Sequence, residues 1–260
     1  MTLRFVSVEP SRRCTKACSF CYNGSDAHGD GRWTASELVA FARDLAANGV
    51  EVLSFGGGEP LEWVGVFDTL RELDGVLLRT LTTNGLPLRD ASIEARLVAA
   101  KPDKVHVSIH RPGNAREVRR VIDSVHRLAE RGLRSGINLM VPRSRLAEAS
   151  SAAAAIRSAG IQNERIVYLP MRGSDTPTPE EILTVAGGPF QSMTCLRGCG
   201  RSERFASVAA DRTAAWCSYT TSRRALRAPT FEALRSALHG LGVRFCGEGQ
   251  LVRLSRSPAG

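Results

Sequence analysis

Strand-like and helix-like runs take turns along the first two thirds of the chain, and that alternation limits the fold more than any other feature. Phe5–Val8 is a short β-type run. Thr34–Asn48 has helical apolar spacing at Leu38, Phe41 and Leu45, with Thr34 or Ser36 placed to cap it and Gly49 to end it. Val50–Phe55, Val76–Leu81, Val105–Ile109, Ile137–Val141 and Arg165–Leu169 follow as strands. Leu61–Leu73, Ala91–Ala100, Ala115–Arg131 and Leu146–Ala159 are the helical runs between them. Six strands separated by five helices imply parallel βαβ units with right-handed crossovers. A chain of 260 residues is too short for eight such units followed by a tail. The expected fold is therefore α/β, a partial (β/α)6 TIM barrel with a small C-terminal module. Ligands of parallel α/β folds bind at the carboxyl ends of the strands, so chemistry is expected there.

The pattern changes after Gly173. Thr176-Pro177-Thr178-Pro179 reads as a linker or a lid. Beyond it come a short β-like run, Phe205–Ala209, and one helix, Phe231–Leu241, with Ser255–Gly260 expected to fray. The division expected is a barrel over residues 1–175, then a linker and a cysteine-bearing module over 176–260.

Seven cysteines are odd in number and too few for a disulfide scaffold at this length. They fall into two groups. Cys14, Cys18 and Cys21 follow the first strand; Cys195, Cys199, Cys217 and Cys246 lie near the end. In the first group, Cys14-Thr-Lys-Ala-Cys18-Ser-Phe-Cys21, three thiolates can hold three irons of a 4Fe–4S cube and leave the fourth open to a small ligand. The alternative is zinc, which needs four ligands, with His28 the nearest candidate for the fourth.

The cysteine spacing, its place after a first strand and Phe20 beside the third cysteine together resemble the radical S-adenosylmethionine (SAM) superfamily. Gly57-Gly58-Glu59-Pro60 after the second strand resembles that family's GGEP motif, and Thr83-Asn84-Gly85 after the third resembles its TNG. Ser108 on the fourth strand matches a Ser-Ile-Asp pattern, except that His110 replaces the acid. Asn138 on the fifth strand and Met171 after the sixth stand where relatives contact SAM. The resemblance covers residues 4–173. It implies a 4Fe–4S cluster on Cys14, Cys18 and Cys21. It also implies SAM held by Phe20, Gly57, Gly58, Glu59, Asn84, Ser108, Asn138 and Met171, with Glu59 facing the SAM ammonium. Reductive cleavage of SAM to a 5′-deoxyadenosyl radical, followed by hydrogen abstraction from a substrate C–H bond, is the implied chemistry.

Cys199 and Cys217, with seventeen residues between them, resemble the hairpin of SPASM/twitch auxiliary-cluster modules, with Arg212 where a turn glycine usually stands. An auxiliary 4Fe–4S cluster is expected on Cys195, Cys199 and Cys217. Cys246 is either its fourth ligand or a free thiol that donates a hydrogen atom; a zinc site on all four is the alternative. A thiol donor suits epimerisation, and a fully ligated cluster suits dehydrogenation or peptide crosslinking. The compact length and the single late Cys246 loosely resemble the aminoglycoside (neomycin) epimerase, which makes an epimerase of antibiotic biosynthesis the favoured reading and a ribosomal-peptide maturase or dehydrogenase the second. Glu9, Glu62, Asp26 or Asp30 would then have to bind the cationic sugar.

The net charge of +9 is carried by scattered arginines, with only Lys16, Lys101 and Lys104 as lysines. Such a spread is weak evidence for nucleic acid, so a metal-containing nucleic-acid-binding protein is the minor, non-enzyme reading. A small-molecule substrate is favoured, a peptide is second, and the electron donor is of the flavodoxin or ferredoxin kind. No apolar run reaches the ~18 residues of a membrane span, and the N-terminus reads as a strand rather than a signal peptide. A cytoplasmic protein with no membrane partner is expected.

Overall fold

The computed structural model describes residues 2–192 and 203–242. Strands β1 (Phe5–Val8), β2 (Val52–Phe55), β3 (Leu78–Thr83), β4 (Lys104–Ile109), β5 (Ser135–Val141) and β6 (Ile166–Pro170) alternate with α1 (Ala35–Ala47), α2 (Val66–Glu72), α3 (Ala91–Ala100), α4 (Ala115–Glu130) and α5 (Leu146–Ser158). These strands lie parallel and in order, as the alternation requires. The sheet is extended at both edges. At one, α6 (Pro179–Ala186) leads to β7 (Gln191–Ser192), parallel to β6. At the other, β8 (Phe205–Val208) pairs in parallel with β1 and turns into antiparallel β9 (Thr213–Ala215), which pairs with β10 (Arg224–Ala225). The order β10-β9-β8-β1-β2-β3-β4-β5-β6-β7 does not close, so the architecture is a partial barrel. Helix α7 (Phe231–Leu238) packs on β9.

Register divides the sheet into two chemically different faces, because in-register partners on parallel strands point the same way. Val8, Phe55, Leu81 and Val105 form one cross-strand row, and Ile109, Leu139 and Tyr168 another. All are essentially buried under the helices. Each such side chain contributes roughly 1.5–3 kcal/mol relative to exposure. The other face carries Ser207, Ser7, Ser54 and Thr80 in one row, Thr82 and His106 in a second, and Ser108 and Asn138 in a third. Ser7, Ser54, Thr80, Thr82 and His106 on this inner face are only half-buried. A polar, partly accessible inner wall is what a barrel that receives a ligand needs.

Two local sequences behave differently from expectation. Thr176–Pro179 runs directly into a helix. Thr178 caps α6 through a reciprocal box with Glu181, Pro179 takes the first helical position, and Gly187 (φ 70°) ends the helix. The hairpin turn between β8 and β9 keeps its left-handed residue without a glycine: Arg212 has φ 63°. Its side chain offsets that strain by donating to the Arg32 carbonyl and Glu37, 2.6 Å each, and by lying over the Trp33 ring.

Candidate SAM-binding site

The strand ends of β1, β2 and β3 are sewn together by backbone. After β1 the chain runs through Cys14, Cys18 and Cys21, then folds back so that Arg12 N donates to Asp30 O and Cys14 N to Asp26 O, both at 2.7 Å. Gly29 and Gly31 allow this return, since a Cβ on either would overlap backbone of residues 10–13. The β2 loop lies against the same segment: Gly58 N donates to Ser11 O at 3.0 Å and Glu59 N to Arg13 O at 2.7 Å. A Cβ on Gly58 would overlap the Arg13 carbonyl, and one on Gly57 (φ 98°) would come within 2.6 Å of Glu9 Cβ. These glycines therefore serve the approach of one loop to the other.

Glu59 and Asn84 complete the junction. Glu59 is buried; Oε1 accepts from Thr83 Oγ1 at 2.7 Å and Leu61 N at 3.1 Å, and Oε2 from Asn84 N at 2.7 Å. Burial outweighs these three donors and raises its pKa to about 7. The carboxylate expected to face the SAM ammonium is thus occupied in tying β2 to β3. Asn84 turns its amide Nδ2 to Cys14 Sγ at 3.6 Å and accepts from Leu86 N through Oδ1.

Cys14, Cys18 and Cys21 are free and half-buried. Burial raises the Cys14 and Cys18 thiols, and Cys18 also feels Lys16, Cys14 and Cys21, so the three share one electrostatic neighbourhood. Lys16, between the first two cysteines, reaches Glu117 at 2.7 Å in a pair that is about 90% buried on both sides. Glu117 also accepts from His110 N at 2.7 Å. Its own burial would raise it, but Lys16 and the His110 amide hold it below the ordinary carboxylate range. A carboxylate thus stands at the end of β4 although His110 replaces the acid expected there. Burial, then Lys16, lowers His110 to about 4, and the imidazole stands 6.1 Å from the Phe20 ring.

Ser108 and Asn138 sit side by side on the inner face, and Asn138 Oδ1 contacts His106 Nδ1 at 2.8 Å. Met171 is fixed at the end of β6 by the hydrogen bond its backbone N–H donates to Val141 O at 2.9 Å. Among the described residues, no hydrogen bond or ion pair joins Ser108, Asn138 or Met171 to the cysteine loop, whereas Gly57, Gly58, Glu59 and Asn84 pack or bond against the segment that carries it. Sequence reasoning missed Lys16, Glu117 and Tyr22. Tyr22 donates to the buried Glu9 at 2.8 Å and packs against Tyr219 with ring centroids 4.7 Å apart and planes tilted by 51°, joining the cysteine loop to the segment after β9. Cys217 is half-buried two residues before Tyr219; Cys195, Cys199 and Cys246 lie outside the described residues.

Three free thiols on one loop, within mutual electrostatic reach, fit a cluster that takes each on a separate iron. Among the described residues, no group of three or more His, Cys, Asp or Glu side chains surrounds a single ion, and His28, proposed as a fourth zinc ligand, is exposed.

The chain is similar to known proteins in sequence and in fold. A GTP 3′,8-cyclase of Peptoclostridium acidaminophilum is 31% identical over 114 residues, 41% of this chain and 34% of that protein. One from Geobacter sulfurreducens is 27% identical over 136 residues, 47% of this chain and 41% of that protein. The chain thus spans about a third to two fifths of the length of these relatives. Streptococcus suis SuiB bound to its precursor peptide SuiA superposes with a TM-score of 0.67 at 15% identity, over 84% of this chain and 60% of that one. The enzyme anSMEcpe with bound AdoMet gives 0.63 at 14% identity, over 91% and 80%. No helix among the described residues is long and apolar enough to cross a membrane. The Radical SAM superfamily model matches residues 8–148, from the end of β1 into α5, which excludes the non-enzyme reading and carries the family's cofactors, a 4Fe–4S cluster and SAM. With that match laid over the strand ends that hold the cysteines, Gly57–Glu59 and Asn84, the chain belongs to the radical SAM superfamily.

Proposed function

We propose that this radical SAM enzyme abstracts a hydrogen atom from a peptide held against the polar inner face of the sheet. Cys14, Cys18 and Cys21 would hold the cluster, which supplies the electron for SAM cleavage when bound. Asn84, Gly57 and Gly58 keep the cysteine loop against the ends of β2 and β3. Phe20 and His110 border that loop, and Ser108, Asn138 and Met171 lie on the SAM side of the wall. Cys217 is the described member of the auxiliary-cluster group, with Cys195, Cys199 and Cys246 as the others.

The carrying observation is the state of the carboxylates at the mouth. Glu9 accepts from Tyr22 and Asn23, Glu62 from the Thr15 amide and hydroxyl, and Asp26 from the His28 amide. Of these acids and Asp30, the candidates for binding a polycationic sugar, Asp30 alone has no side-chain partner among the described residues, and it is exposed. The serines, threonines, His106 and Asn138 of the inner wall suit the amides of a peptide instead. The fold is similar to those of SuiB bound to its precursor peptide SuiA and of anSMEcpe bound to AdoMet and the Cp18Cys peptide, which agrees with this reading. An aminoglycoside epimerase with Cys246 as hydrogen donor is the second reading, because the thiol's place near the end of the chain is compatible with it.

Anaerobic turnover of reconstituted enzyme with perdeuterated peptides and aminoglycosides separates the two. Deuterium in 5′-deoxyadenosine from peptides supports the proposal. Label from aminoglycosides alone, with solvent hydrogen at one product carbon, would overturn it in favour of the epimerase.

A further inference from the structure

An open groove of about 710 Å³ runs between α3 and α4 on the outer side of the barrel, away from the inner wall. Arg116, Arg119, Arg120 and Arg127 recur along one side of α4, and Arg89 faces them from the turn before α3. The groove also contains Glu94 and Asp123. Glu94 is taken up by Arg127 at 3.0 Å and Arg131 at 3.4 Å. Arg89, Arg116 and Arg119 form no ion pair among the described residues. Burial lowers the proton affinity of Arg120, and the charge of Arg89 lowers it further. The first turns of α3 and α4, at Ala91 and Ala115, add the positive ends of two helices.

This groove is wired to the cysteine loop. Arg120 donates through both Nη1 and Nη2 to the Asn84 carbonyl at 3.1 Å, and the Asn84 side chain reaches Cys14 Sγ at 3.6 Å. The back of the SAM-cleaving site is therefore one residue behind a positively charged outer surface. Without substrate, each reductive cleavage of SAM takes up one electron, which a donor outside the chain must supply. A substrate must meet the radical on the inner side, so this outer face is free for the donor.

We propose that the arginine groove between α3 and α4 is the docking surface for a small acidic electron-transfer protein of the flavodoxin class. The donor gives up one electron and SAM accepts it. The C5′–S bond then breaks to methionine and the 5′-deoxyadenosyl radical. Opposite charge would raise the encounter rate and make it fall with salt.

The test uses the reconstituted holoenzyme and the triple variant Arg89→Glu, Arg116→Glu, Arg119→Glu. 5′-Deoxyadenosine is measured without substrate, so the result is independent of the peptide reading. With reduced flavodoxin below saturation, the variant's rate is expected to fall by roughly tenfold or more, and the wild-type rate to fall with added salt. With dithionite, which needs no docking surface, the two proteins are expected to agree within about twofold. An unchanged flavodoxin-driven rate overturns the proposal. So does an equal loss with both donors, or an unchanged flavodoxin-driven rate beside lost binding of tripolyphosphate or RNA.

Discussion

Lys16 and Glu117 are 101 residues apart in sequence and 2.7 Å apart in space, and their ion pair fastens the cysteine loop to the first turn of α4. Both side chains are nearly excluded from water, so neither charge has solvent to fall back on. Replacing Lys16 by Met strands the Glu117 carboxylate beside the His110 amide. The expected loss is about 3–5 kcal/mol, as when one partner of a buried pair is removed. Denaturant unfolding of the apoprotein measures it. Lys16→Met with Glu117→Gln should recover much of that loss, because no uncompensated charge remains.

Gly58 is expected to be more sensitive than a loop glycine usually is. Its missing Cβ is where the Arg13 carbonyl lies, and that carbonyl also accepts from Glu59 N. Gly58→Ala must push the β2 loop off the segment that leads into Cys14. The variant should hold less iron per chain after reconstitution than wild type, and should unfold earlier by about 1–3 kcal/mol.

Glu59 gives stability a definite dependence on pH. Its carboxyl ionises near the ordinary 4.5 in the unfolded chain but at about 7 in the fold. Between those values the folded state holds the extra proton, so its contribution falls as pH rises from 4.5 to 7 and is constant above. The fall is about 3 kcal/mol by linkage. His106 and His110, both lowered to about 4 chiefly by burial, act in the opposite direction: they lose stability as pH falls below 6.5. Comparing wild type with Glu59→Gln cancels the histidines. The stability difference between the two proteins, followed by denaturant titration at several pH values, should change by that amount over the window.

The parallel order of β1 to β6 was legible because apolar runs bounded by helical spacing leave few other topologies, and the cysteine loop was legible because its three cysteines are local in sequence. Three things were not. Helix α6 carries Thr178, Pro179, Glu181 and Gly187, a complete set of start and stop signals, but the Thr-Pro-Thr-Pro composition reads as a linker unless the capping pattern is sought first. The pairing of β8 with β1 joins residues about 200 apart, and no local pattern specifies such a partner. Lys16 and Glu117 look like ordinary surface charges in sequence, since their buried pairing joins residues 101 apart. The hydrogen bonds of Glu59 to Thr83, Asn84 and Leu61 likewise depend on how two strand ends meet.

The central claim is that Cys14, Cys18 and Cys21 hold the cluster that cleaves SAM. The direct measurement is 5′-deoxyadenosine formed from SAM under anaerobic reduction by reconstituted wild type and by Cys14→Ala/Cys18→Ala/Cys21→Ala. The wild type should form it, with the electron paramagnetic signal of its reduced cluster altered by added SAM, and the triple variant should form none. Undiminished 5′-deoxyadenosine from the triple variant, or none from an iron-loaded wild type, would contradict the account.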